Sequence, residues 1–63
     1  MRYLARWALR RELLPDGVSH HIHHVPYDDE LTTPEAAFRA ELAAEGRPGS
    51  FDDYELVENF RRD

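Results

Sequence analysis

The chain has 63 residues, of which 8 are arginine, 13 are acidic and 4 are histidine, with no lysine and no cysteine, so its formal net charge is −5. A chain of this length forms at most one domain, here residues 1–63, and buries only about 60% of the surface that its unfolded form exposes. There is no room for a deep substrate cleft, and the lack of cysteine excludes disulfides, thiolate zinc sites and a thiol nucleophile.

The sequence predicts neither a membrane-spanning segment nor a signal peptide. No apolar stretch approaches the roughly 20 residues that a bilayer-spanning helix needs, and the N-terminus lacks the apolar core of a signal peptide. We therefore expect a cytoplasmic protein without a membrane partner. Residues 1–11 hold four arginines and no acid, whereas residues 12–63 hold four arginines and all 13 acids, so the two parts are expected to attract each other.

The turn sequence Leu-Pro-Asp-Gly-Val at residues 14–18 predicts a β-hairpin. Proline presets φ, aspartate caps the turn and glycine accepts a positive φ. Pairing Leu13 with Val18 aligns Leu9 with Ile22 and places the apolar side chains on one face: Tyr3, Trp7, Leu9, Leu13, Val18 and Ile22. The other face of this predicted sheet carries Arg6, Arg10, His21 and His23.

A helix near residues 2–14 is the competing prediction for the N-terminal segment. Arginine, alanine and leucine are good helix formers, and several apolar residues fall near one stripe of such a helix. Arg11 lies inside that stripe, which favours the strand.

The residues that follow an acidic turn predict a helix over 34–45. Thr33 is a suitable N-cap, Pro34 suits the first helical position, and Gly46 ends the helix. At about 100° per residue, five alanines form one stripe, and Phe38 and Leu42 form a separate ridge. The alanine stripe would let the helix lie close on a sheet, and the ridge would fill the core or contact a partner.

The C-terminal segment is compatible with a strand or with a helix near 51–62. As a strand, it directs Tyr54, Leu56 and Phe60 to one side, with Glu55 placed to pair with an arginine of a neighbouring strand. As a helix, it has acids in its first turn and arginines in its last, which suits the helix dipole. We favour the strand, because a two-stranded hairpin alone is marginally stable.

The predicted fold class is therefore α+β, a small ββαβ arrangement with an N-terminal hairpin, one helix and a C-terminal strand. The alternative is a mostly α fold with helices near 2–14, 34–45 and 51–62. Three short segments, Tyr3 to Leu9, Thr33 to Ala37 and Tyr54 to Leu56, resemble a strand-helix-strand pattern of small proteins from actinobacteria and their phages. The resemblance implies a bacterial or phage origin and carries no function.

The unusual chemical feature of the chain is the sequence His-His-Ile-His-His at 20–24. On a strand, His21 and His23 project from the same face, and such a pair supplies two ligands to zinc or another divalent transition metal. Arg6 and Arg10 flank this pair in the predicted register and disfavour a cation. We therefore expect no cofactor and keep a metal site at His21 and His23 as an alternative.

The predicted face with Arg6, Arg10, His21 and His23 also suggests contact with an anion or with single-stranded nucleic acid. The net charge of −5 opposes this interpretation. Adjacent residues such as Ser19 and His20 point to opposite faces of a strand, so the histidine cannot act as a general base for the serine hydroxyl.

These patterns together indicate a small acidic, non-catalytic binding protein with a regulatory role. It is expected to bind another protein or a second copy of itself, because a chain with a marginal core gains stability by burying surface in an interface. The predicted interface residues are Phe38, Leu42, Trp7 and Tyr3.

Overall fold

The computed structural model describes residues 1–62 and has the α+β fold with the order strand, strand, helix, strand. The strands are β1 (Arg2–Leu9), β2 (Ile22–Asp28) and β3 (Tyr54–Arg61), and the α-helix is α1 (Pro34–Ala44). Short 3₁₀ helices occupy Arg11–Leu13 and Pro48–Asp53. The ββαβ prediction is confirmed, and the mostly α alternative is wrong at both ends of the chain. Asp63, the last residue of the predicted domain, lies outside the described residues.

The three strands form one antiparallel sheet in the order β2-β1-β3. β1 is therefore the central strand, and the C-terminal strand completes the sheet, as the marginal stability of a lone hairpin requires. No helix among residues 1–62 is long and apolar enough to cross a bilayer.

Helix α1 begins and ends where its capping residues predict. The backbone N–H of Ala36 donates to Thr33 Oγ1 at 3.1 Å, and Pro34 is the first helical residue. Gly46 has φ +80°, the left-handed conformation that glycine adopts without strain after a helix C-terminus.

The hairpin register differs by one residue from the predicted register. Trp7 lies opposite His23, and Ala5 lies opposite Val25, whereas the turn sequence predicted Trp7 opposite His24. The chain between Leu9 and His21 forms a long connection. The turn at residues 15–18 is present, with Val18 N–H donating to the Pro15 carbonyl, but the ladder does not extend to it.

A one-residue change of register moves every side chain of β2 to the other face of the sheet. His23 and Val25 therefore share a face with Trp7, and Ile22 shares the opposite face with Arg6. The predicted apolar face is correct for Tyr3, Trp7 and Leu9 and wrong for Ile22, and the predicted polar face is wrong for the histidines.

The core lies between this face of the sheet and α1. Its buried members are Ala5, Trp7, Val25, Phe38, Leu42 and Tyr54. Phe38 and Leu42 have no exposed surface, and the Phe38 ring stacks on Trp7 with centroids 4.9 Å apart. The ridge of α1 thus packs on the sheet, while its alanines are mostly exposed. Burying a phenylalanine or leucine gains about 1.5–3 kcal/mol, against about 0.8 kcal/mol for one methylene-sized group, so the larger side chains take the core.

Strand β3 contains a bulge that reverses the face to which its later side chains point. Leu56 lies opposite Trp7 and Glu58 lies opposite Arg6, so Val57 is an extra residue without a partner in the ladder. Tyr54 and Leu56 therefore share the core face, as predicted, whereas Phe60 lies opposite Leu4 on the other face.

Candidate functional site

The strongest candidate binding surface is the face of the sheet that α1 leaves uncovered, here called the open face. By register it carries Arg2, Leu4, Arg6, Ala8, Ile22, His24, Pro26, Asp28, Glu55, Glu58 and Phe60. The single α-helix of residues 1–62 packs on the opposite face. The open face is therefore a surface of three strands whose apolar side chains meet solvent.

The apolar part of the open face is formed by one residue or more from each strand. Leu4 and Ile22 are half-buried by their neighbours, and Phe60 on β3 is 40% exposed. Val57 at the bulge, which the register assigns to neither face, is 51% exposed. An antiparallel sheet with one face in water normally alternates apolar and polar residues so that the solvent face is polar. The apolar residues here depart from that rule.

The open face carries charged side chains of both signs. Arg2 and Arg6 lie opposite Asp28 and Glu58, and Glu55 lies opposite Ala8. The Arg6 guanidinium donates from Nη1 to Glu58 Oε1 at 2.6 Å, with both side chains partly exposed. The strand residues of this face therefore carry two cations and three anions, a net charge of −1.

One end of the open face is held by the N-terminus. The Met1 ammonium lies 3.0 Å from Asp29 Oδ1 and 3.3 Å from Asp28 Oδ1. Its hydrogen bond to Asp29 is the main cause of the raised pKa of the ammonium group. The backbone N–H of Glu30 donates to Asp28 Oδ1 at 2.9 Å and is the main cause of the lowered pKa of the Asp28 carboxyl.

The predicted protein-interface residues are mostly in the core. Phe38 and Leu42 are fully buried and Trp7 is 4% exposed, so none of the three offers surface to a partner. Tyr3 is half-buried on the core face, where its ring stacks on Tyr27 with centroids 5.8 Å apart. A core this small needs all of its large apolar side chains, so the burial of Phe38, Leu42 and Trp7 argues against an interface role for them, and that of Tyr3 stays a prediction.

The predicted basic sheet face does not form. Arg6 lies on the open face in its ion pair with Glu58, whereas His21 and His23 lie on the side of α1. Arg10 follows the end of β1, and its Nε donates to the Asp52 carbonyl at 2.9 Å. Glu55, which was expected to pair with an arginine, lies opposite Ala8. The bulge at Val57 brings Glu58 opposite Arg6 instead.

A second candidate site is the cluster of His21, His23 and Tyr54, here called the histidine cluster. The Nε2 atoms of His21 and His23 lie 3.3 Å apart, and Tyr54 Oη lies 3.4 Å from His23 Nε2. Arg47 donates from Nη2 to the same tyrosine oxygen at 3.4 Å. Sequence reasoning found the two histidines and missed Tyr54, which reaches them only through the pairing of β3 with β1.

The histidine cluster is partly buried. His23 is half-buried between the rings of Phe38 and Tyr54, with centroid distances of 5.4 Å and 5.1 Å, whereas His21 is exposed. A cavity of about 230 Å³ adjoins the cluster and is lined by Leu9, Pro15, Val18, His21, Arg47 and Tyr54. The cluster is therefore reachable from solvent on the His21 side.

Comparison with protein-family models, with curated proteins and with solved structures found no significant match. The resemblance to actinobacterial and phage proteins thus stays a prediction.

Proposed function

We propose that this chain is a cytoplasmic, non-catalytic binding protein with a regulatory role, and that it self-associates through the open face. The observation that supports the proposal is a sheet face, left uncovered by α1, on which apolar residues are exposed beside charges of both signs. Burying such a face in a second copy gains hydrophobic free energy, which the small core cannot supply alone.

The charge pattern favours a second copy as the occupant of the open face. A two-fold axis brings the same patch of both copies together. Charges can therefore pair across a homodimer interface only if this patch carries both arginines and acids. Arg6 and Glu58 lie side by side on this face, and each can meet the opposite charge of the other copy. A nucleic acid would instead require a clear excess of positive charge, which the open face lacks.

The size of the open face predicts a weak dimer. A strand of eight residues is about 26 Å long and three strands are about 14 Å wide, so the face has a projected area of about 360 Å². Specific interfaces bury about 800 Å² of accessible surface per partner, and smaller ones are transient. We therefore expect a dissociation constant on the order of micromolar or weaker.

Sedimentation equilibrium of the wild-type chain between about 10 µM and about 1 mM tests the proposal. We expect a reversible monomer–dimer equilibrium. The variant Phe60→Asp should remain monomeric, because it places a carboxylate among the apolar side chains of a buried interface. Its fold should persist, since Phe60 is 40% exposed in the single chain.

Leu31→Asp is the matched control. Leu31 is 84% exposed in the turn between β2 and α1, outside the three strands, and the substitution introduces the same charge. It should dimerise like the wild type. A wild-type chain that stays monomeric throughout this range, or a Phe60→Asp variant that dimerises as well as Leu31→Asp, would contradict the proposal.

A further inference from the structure

We propose that the histidine cluster is a binding site for one divalent late first-row transition metal ion, with zinc as the probe, held by His21 Nε2, His23 Nε2 and Tyr54 Oη. The site lies on the α1 side of the sheet and is independent of the open face.

The argument rests first on the distance between the two imidazole nitrogens. Zinc binds histidine nitrogen at about 2.0–2.1 Å in tetrahedral geometry, so two ligating nitrogens stand about 3.3–3.4 Å apart. The Nε2 atoms of His21 and His23 are 3.3 Å apart. The same distance also allows a hydrogen bond between the rings, which is the alternative that the experiment must exclude.

The third donor strengthens the metal interpretation. Tyr54 Oη lies 3.4 Å from His23 Nε2, so an ion bound between the two imidazoles is within reach of the phenol oxygen. The Tyr54 side chain is held in place by the core, since the residue is 3% exposed and its ring meets Phe38 edge-on at 5.1 Å. Two of the three donor groups, those of His23 and Tyr54, are thus positioned before any ion arrives.

The surroundings leave one coordination position open. The adjoining cavity of about 230 Å³ reaches solvent on the side of exposed His21, so a water molecule or a small anion can complete a tetrahedral shell. Imidazole suits zinc, copper, iron and nickel, whereas magnesium and calcium prefer carboxylate, carbonyl and water oxygens.

Binding of an ion at Tyr54 Oη replaces the phenolic proton, which is released to the buffer. Arg47 Nη2 donates to the same oxygen at 3.4 Å. Its guanidinium helps to hold a negatively charged oxygen and also repels a dication, so Arg47→Gln has two opposing effects on zinc binding. If the cluster instead bound an anion such as phosphate, Arg47→Gln would weaken binding of that anion.

The test is calorimetric titration of the untagged chain with zinc, followed by native mass spectrometry. We expect one ion per chain. His21→Ala and His23→Ala should each weaken binding about 10–100-fold or more, because losing a ligand costs at least as much as losing a group that orients one. His21 is exposed, so His21→Ala tests the site even if His23→Ala proves unstable.

His24→Ala is the matched control, because His24 belongs to the same run of histidines but lies on the open face opposite Arg6. It should bind zinc like the wild type. Equal loss in His24→Ala and His21→Ala would show adventitious binding by the run of histidines and overturn the proposal. The absence of one-to-one binding would also overturn it.

Discussion

Truncating Phe38 to alanine tests whether the ridge of α1 holds the fold together or serves a partner. The Phe38 ring has no exposed surface and lies at the centre of an aromatic cluster. Its centroid is 4.9 Å from that of Trp7, 5.9 Å from that of Phe51 and 5.1 Å from that of Tyr54. Phe38→Ala removes all of these contacts and leaves a cavity under the central strand.

The expected loss of stability is comparable to the whole stability of a chain of this size. A buried phenylalanine replaced by alanine costs about 3–5 kcal/mol, and the cavity is hard to refill because its walls are rigid rings. The core of a chain below about 70 residues supplies only about 3–5 kcal/mol of stability. We therefore expect the variant to be largely unfolded in buffer, whereas Leu42→Met, which keeps the volume, should lose less than about 1.5 kcal/mol.

Urea denaturation followed by Trp7 fluorescence measures both variants. Trp7 is the only tryptophan and is 4% exposed, so unfolding transfers its indole to water and shifts its emission. Leu31→Ala is the control, because Leu31 is 84% exposed and its loss should change stability by less than about 0.5 kcal/mol. A Phe38→Ala variant as stable as Leu31→Ala would refute this core and favour a role for Phe38 in contact with a partner.

Two further predictions concern the start of α1 and the N-terminus. Thr33→Ala should lower the unfolding free energy by about 1 kcal/mol because it removes the hydrogen bond to the Ala36 N–H, and Thr33→Ser should restore it; equal urea midpoints would contradict this capping role. Acetylation of Met1 removes the N-terminal ammonium group, whose pKa is raised on folding. The ammonium group stabilises the fold fully below about pH 8, and this stabilisation is lost as the pH rises through the folded pKa. The acetylated chain should have a lower urea midpoint at neutral pH and the same midpoint at about pH 10, and a difference that persists at high pH would show that charge is not the cause.

Local chemistry explains why the helix and the turn could be predicted from the sequence. Thr33, Pro34 and Gly46 act through their own side chains and φ preferences within one turn of chain. The turn at Pro15 to Val18 likewise forms as predicted. These features depend on neighbours in sequence, so the residues alone determine them.

The hairpin register could not be predicted because both faces of β2 carry apolar residues. Ile22 lies on one face, and Val25 lies on the other with Tyr27. The hydrophobic pattern therefore does not decide between two registers that differ by one residue. The connection between Leu9 and His21 does not form a tight hairpin either, because the Arg10 N–H donates to the Asp53 carbonyl beside β3 and leaves the β1–β2 ladder.

The bulge at Val57 shows a second limit of the sequence pattern. Alternation along β3 predicts that Phe60 shares a face with Tyr54 and Leu56, and this holds only while every residue has a partner. One unpaired residue reverses the alternation, so Phe60 joins Leu4 on the open face. Nothing in the residue types around Val57 distinguishes a bulge from a regular strand.

The observed register and the bulge determine which side chains lie together on each face. In the predicted register His21 and His23 stand beside Arg6, where the nearby positive charge opposes a metal ion. In the observed register His23 lies beside Tyr54, and Tyr54 Oη accepts a hydrogen bond from Arg47. The bulge moves Phe60 to the face that we propose for self-association. Since His23 and His24 project from opposite faces of one strand, the comparison of their alanine variants also tests the register itself.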